Sequence, residues 1–330
     1  MSDSIEIYPW LKDAWQKLDH YLASGRIPHA LMIHGAVGLG KGNMAEMYAQ
    51  KLLCRNPNTF ACGKCPSCHL LQAGSHPDFK VLEPEESGKA IKIDSVRKLI
   101  ADLELKSHFE GYRVVLLKHA EMMNLNSANA LLKTLEEPVE RTVMILVTEK
   151  AHQLPATILS RCQKLLIQSP RHSNASAWLK SRLPDADVRM LLSAADNSPL
   201  RALELNASDL IKQRQYSFDR FMSVMQGQED PIGVAETWNS EDVEQKISWI
   251  QSWVLDLMRL NAAPETDQIK NPDVAKTLRL LAYKISPEAL SGFWSALLET
   301  RKSLSGQANR QLVLEEMLIK ASRLVVQSQQ

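Results

Sequence analysis

Hydrophobic positions in the first half of the chain follow two alternating patterns. "HALMIH" (29–34), "RVVLLKH" (113–119) and "TVMILVT" (142–148) are short, nearly unbroken apolar runs. Such runs predict strands buried on both faces. "SHPDFKVLEP" (75–84) and "QKLLIQ" (163–168) predict two further strands among turn residues. Between the runs, spacing shifts to three and four. Met44, Met47, Tyr48, Leu52 and Leu53 share a helical face in "NMAEMYAQKLLC". "SVRKLIADLELK" (95–106) follows Asp94 as its expected N-cap, and "SANALLKTLEEP" (127–138) is a helix stopped at Pro138. Repeated strand–helix units of this kind predict an α/β core with a parallel sheet covered by helices.

After about Pro170 the pattern changes. Residues 174–206 read as short helices, and from Leu210 onward no segment has strand periodicity. Val243, Ile247, Ile250, Val254 and Leu257 form one apolar stripe, and the segments beginning at Asn271, Pro287 and Asn309 behave alike. The expectation is a bundle of about five helices, with turns at Asn271-Pro272 and Ser286-Pro287. Trp249, Trp253 and Trp294 widen the stripes beyond what such a bundle obviously needs, which predicts either packing against neighbouring subunits or places in the bundle's own core. The resulting division is a core over 1–168, a small helical domain over 169–208, and a helical bundle over 209–330.

Composition adds bounds. A chain of 330 residues with 45% apolar and 23% charged content has material for about two or three domains. The net charge of +1 argues against strong autonomous nucleic-acid binding. No apolar run reaches membrane-spanning length, and "MSDSIEIYPW" does not read as a signal peptide, so the expected setting is cytoplasmic, with no membrane partner.

Four of the five cysteines crowd into one stretch, Cys54, Cys62, Cys65 and Cys68, spaced C-x7-C-x2-C-x2-C. Paired C-x2-C turns present thiolates to one side of a metal, and four thiolates close a tetrahedral Zn²⁺ site with no position left for water. A structural zinc module over about 54–68 is the expectation, with Gly63, Lys64, Pro66 and Ser67 as turn residues and His69 and His76 on the surface. Cys162 stands apart and is expected to be a small buried side chain.

"GAVGLGKGNM" matches the phosphate-loop pattern at Gly35, Gly40 and Lys41, but Gly42 replaces the Ser or Thr hydroxyl that holds Mg²⁺. The strand–loop–helix context is right. A strand-to-helix turn also favours glycine without any ligand. A working site further needs an acidic pair at the end of a later strand, and "RVVLLKH" delivers Lys118 and His119 there. Exchanging a carboxylate for an ammonium moves the local charge by about two units. A unit pair ~5 Å apart is worth about 3 kcal/mol at an effective dielectric near 20. Mg²⁺ should be held poorly, and ATP binding by this chain is doubtful.

"NSANALLKTLEEP" (126–138) followed by "LPATILSRC" (154–162) resembles the clamp-loader branch of the AAA+ ATPases, and the cysteine insert after the first helix resembles the bacterial, DNA polymerase III-type loaders. The resemblance implies a RecA-like AAA+ core carrying the zinc module, followed by a small helical lid over 169–208 and an all-α collar over 209–330. It implies a five-membered ring with tau/gamma-type ATPase subunits and a clamp-opening delta subunit, acting on a sliding clamp and primed DNA through the assembled complex. Arg161, the Arg of "SRC", would project into a neighbour's ATP site as an arginine finger. Thr148 would occupy the place of a γ-phosphate sensor, and Arg201 that of a second sensor. Departures at Gly42, Lys118 and His119 make this a non-hydrolysing member. A catalytically active ATPase with an atypical metal site and a zinc-dependent DNA-binding module are the alternatives.

Overall fold

The computed structural model describes residues 7–86, 88–104, 109, 111–207, 210–266, 268–304 and 308–325. Leu105 and Lys106 of the expected helix at 95–106, residues 1–6 of "MSDSIEIYPW", and the expected lid–collar boundary at 208–209 lie outside the described residues.

The chain divides into two compact units, Met1–Ala175 with Ser198–Arg201, and Ser176–Asn197 with Ala202–Gln330. The first runs α1 (Lys12–Ala23), β1 (Ala30–Gly35), α2 (Lys41–Leu53), α3 (Pro66–Gln72), β2 (Phe79–Leu82), α4 (Ile93–Glu104), β3 (Arg113–Leu117), α5 (Leu125–Glu136), β4 (Thr142–Thr148), α6 (Ala156–Leu159) and β5 (Gln163–Ile167). All strand pairs are parallel, in the order β2-β3-β4-β1-β5. Strand periodicity divides the apolar runs between the two faces. Leu31, Ile33, Val114, Leu116, Ile145 and Ile167 pack with α1 and α2. Met32, Val115, Leu117, Met144 and Leu146 pack with α4, α5 and α6. This double covering is why the strands read as continuous apolar runs. The result is the parallel, helix-covered sheet that the apolar runs predict, with β1 flanked by β4 and β5.

Two local expectations are corrected. The helix at 93–104 begins at Ile93, so Asp94 is in its first turn, 3.7 Å from Arg97, and does not cap it. The helix before Pro138 starts at Leu125, where the Asn124 side chain accepts the Ser127 N–H.

The second unit contains α8 (Val188–Ala194), most of α7 (His172–Arg182) and α9 (Pro199–Ala207), and then α10 (Leu210–Met225), α11 (Pro231–Asn239), α12 (Val243–Ala262), α13 (Ala275–Ala282), α14 (Pro287–Leu304) and α15 (Arg310–Ser322). From Leu210 onward six helices, not five, occur among the described residues, and no strand does. The predicted stripe on α12 is buried throughout. Trp249 and Trp253 do not face outward: both are buried in one cluster with Phe218, Phe221 and Trp238, and Trp294 is half-buried against it. Helices α10 and α11, which the sequence reading did not single out, supply those partner aromatics, so the wide stripe is needed within the unit. Asp256, fully buried, accepts the N–H groups of Lys270 and Asn271, and buried Arg214 donates to Asn271 and pairs with Asp273. These bonds fix the loop between α12 and α13 onto α12.

Candidate functional site

Gly35 closes β1 at φ +152°, in register with Ile167 of β5. A Cβ there would stand 2.3 Å from the Ile167 carbonyl oxygen, so the first glycine of the loop is required by sheet packing alone. Gly38 (φ +68°) and Gly40 (φ +80°) turn the chain into α2, against Ser198 and Arg201 and against the Tyr8 ring, respectively. Every carbonyl from Ala36 to Gly40 is engaged. Ala36 accepts from Lys41 Nζ (2.5 Å), Val37 from Ser198 Oγ, Gly38 from the Leu200 N–H (3.3 Å), Leu39 from Trp10 Nε1 (2.9 Å), and Gly40 from the Met44 N–H (3.0 Å). Gly42 lies in the first turn of α2 with open space where a side chain would go. Gly35→Ala is expected to destabilise the fold by about 3 kcal/mol through the clash with a backbone oxygen. Gly42→Ala is expected to leave stability equal or raise it by up to about 1 kcal/mol. Chemical denaturation of both variants checks this contrast, and equal losses would contradict it.

Lys41 is buried and turned back onto its own loop, 3.8 Å from Glu149. Burial lowers its pKa, opposed by the carboxylates of Glu149 and Glu121. Glu121 and Glu149 follow β3 and β4, and with His119 their ligand atoms lie within 4.8 Å of one another. Neither carboxylate is marked by the phosphate-loop pattern in the sequence. Both are half-buried, and the Glu149 N–H donates to Glu121. The Lys41 ammonium supplies the counter-charge for this cluster. Lys118, where the acidic pair would begin, lies 3.5 Å from Glu46 of α2 and 3.8 Å from Glu83. Its charge is thus partly offset, and the electrostatic contrast is smaller than Lys118 alone implies. Thr148 is fully buried at the end of β4, and its hydroxyl accepts the Lys150 N–H (3.2 Å). Arg201, at the start of α9, packs on Gly38.

Arg161 is elsewhere, directly after the short helix α6. Its guanidinium donates to the Thr157 carbonyl (2.9 Å), the Ser160 hydroxyl (3.4 Å) and the Glu136 carboxylate (2.5 Å), and it stays part-exposed. The local carboxylate partner typical of a surface arginine is therefore present. Next to it Cys162 is buried, which pushes its thiol up to about 11.

The four cysteines meet. Cys54 follows α2, Cys62 lies in the intervening loop, Cys65 precedes α3 and Cys68 lies within it, with all four sulfurs within 4.8 Å of one another. Pro66 and Ser67, expected in a turn, open α3 instead. The Cys62 N–H donates to Cys54 Sγ (3.2 Å). Burial opposes ionisation of Cys65, yet the N–H groups of Arg55 and Cys68 draw its thiol down to about 6. The buried cluster here consists of thiols and little else, so the insert has no apolar core of its own. Donor set, convergence and N–H···S bonds fit a four-coordinate thiophilic metal.

His76 is buried, contrary to the surface placement expected for it; His69 is exposed as expected. His76 Nδ1 accepts the Asp78 N–H (3.1 Å), which leaves Nε2–H to donate to Ser67 Oγ (2.9 Å), and Ser67 donates to the Leu53 carbonyl (2.7 Å). Burial lowers the His76 pKa. This chain ties α3 to the end of α2 and to the approach to β2.

Comparison with known proteins follows the same division. Residues 10–171 match a family described as DNA polymerase III, delta subunit, and residues 208–323 match the C-terminal part of that subunit. DNA polymerase III subunit delta' of Pseudomonas aeruginosa is 34% identical over 325 residues, covering 97% of this chain and 98% of the relative. The Escherichia coli subunit delta' is 30% identical over 319 residues, covering 95% and 94%. DNA polymerase III subunit tau/gamma of Haemophilus influenzae is 27% identical over 324 residues, covering 91% of this chain and 47% of that protein. Among the described residues no helix is long and apolar enough to cross a membrane. With matches across both units and more than nine-tenths of the chain aligned to such relatives, this protein belongs to the DNA polymerase III subunit delta' family.

Proposed function

We propose that this chain is a cytoplasmic, non-hydrolysing subunit of a bacterial clamp loader, lending Arg161 to a nucleotide held by a neighbouring subunit. It works in a ring with tau/gamma-type ATPase subunits and a delta subunit, and through that ring acts on a sliding clamp and primed DNA. The core, lid and collar divide near residues 168 and 208. Cys54, Cys62, Cys65 and Cys68 hold a structural Zn²⁺. Gly35, Gly40, Lys41, Gly42, Thr148 and Arg201 are the remains of a nucleotide pocket.

The observation that carries this reading is the state of the loop lysine. Lys41 is committed to Ala36 and faces Glu149, beside a strand end that carries Lys118 in place of an acid. A triphosphate would have to displace those contacts, and the first carboxylate after β3, Glu121, stands four positions past the strand, where the Lys41 ammonium already offsets its charge.

Equilibrium nucleotide binding and turnover on the isolated chain, with and without Mg²⁺, test the reading. No Mg²⁺-dependent turnover is expected, and Gly42→Thr should not create any, because the hydroxyl restores only one missing ligand. Turnover by the isolated chain that is lost in Lys41→Ala would select an active ATPase instead.

A further inference from the structure

Glu136 is the last residue of α5, and Glu137 follows it. Acidic side chains at a helix C-terminus are disfavoured by the exposed carbonyls there, so helix stability does not explain this carboxylate. What it meets is Arg161, 25 residues on, through a 2.5 Å bond between Arg161 Nη2 and Glu136 Oε1. The other terminal nitrogen, Nη1, is held by the Thr157 carbonyl and the Ser160 hydroxyl on Arg161's own side. The guanidinium is therefore anchored to α6 by one nitrogen and faces an anion with the other. A phosphate oxygen is an anion of the same kind and would compete for the same donor.

We propose that Glu136 is a positioning residue for Arg161. Its carboxylate occupies, in the isolated chain, the side of the guanidinium that a nucleoside triphosphate on the neighbouring subunit takes in the assembled ring. The inference rests on the arginine-finger reading above. The exchange swaps one charge-assisted hydrogen bond for another. Its cost falls when the nucleotide first meets the finger and is carried unchanged into the transition state. A cost of that kind enters KM and leaves kcat alone.

The test is steady-state ATP hydrolysis by the reconstituted loader containing wild-type chain, Glu136→Gln, Arg161→Ala or the double variant, with assembly verified by gel filtration. Glu136→Gln keeps an acceptor but removes the charge, and it should lower KM for ATP by about two- to fivefold at unchanged kcat, as suits a part-exposed pair. The double variant should match Arg161→Ala alone, because Glu136 acts only through Arg161. If Arg161→Ala impairs hydrolysis while Glu136→Gln leaves KM unchanged or raises it, the counter-charge role is overturned and the finger stands. An effect of Glu136→Gln that persists on top of Arg161→Ala also overturns it. If Arg161→Ala changes nothing, the finger reading itself falls, and this inference with it.

Discussion

Replacing Arg161 by Ala in the reconstituted loader should slow hydrolysis at the one site it faces by about 10³-fold or more, with the remaining sites unaffected. The size follows from where the charge is used. In phosphoryl transfer, negative charge spreads over the equatorial oxygens, and a guanidinium delivered into a water-poor interface meets it without reorganisation. Arg161 is suited to this by its place directly after α6, where the Thr157 carbonyl and Ser160 hydroxyl orient one nitrogen while the side chain stays accessible. Arg161→Lys should rescue little, since an ammonium offers no planar fork. Rapid-quench measurement of the first turnover separates the affected site from the others. A first turnover that keeps its full amplitude and rate in Arg161→Ala would refute the assignment.

Cys65→Ser should reduce bound zinc from one equivalent to nearly none and destabilise the first unit by about 3 kcal/mol or more. Structural zinc sites owe their strength to folding and binding being one event, and here the buried side chains of the insert are largely the thiols themselves. Loss of one sulfur leaves three partly buried thiols with no core to replace the metal. The damage should spread beyond the insert, because Ser67, two residues from Cys65, links His76 and the Leu53 carbonyl at the end of α2. Metal analysis together with thermal unfolding checks both parts. A variant that melts like the wild type would remove the structural role of the site.

The three inner strands were legible because they are covered on both faces. "TVMILVT" is β4 residue for residue, and the other runs match to within a few residues. Cysteine spacing identified a local cluster, since all four thiols come from one short stretch. What escaped depends on partners that no local spacing pattern marks. Glu149 reaches Lys41 across 108 positions, and Glu136 reaches Arg161 across 25. His76 reads as a surface residue until Ser67 and Asp78 are found around it. The tryptophans of α12 suggested an outward face because α10 and α11, whose aromatics cover them, are separate segments that the stripe on α12 does not reveal. Pro66 and Ser67 suit both a turn and the first turn of a helix, and only the fold chooses between them.

The clamped phosphate loop bears on how such motifs are interpreted across genomes. Gly35 is demanded by the Ile167 oxygen, and the following bend is pinned through five carbonyls to Trp10, Ser198, Leu200, Met44 and Lys41. Selection on architecture alone would then preserve this glycine signature long after any ligand had been abandoned. Pattern searches that rest on the glycines and the lysine should retrieve descendants of this kind as false positives, set apart by the residue after the lysine and by the one that follows the third strand.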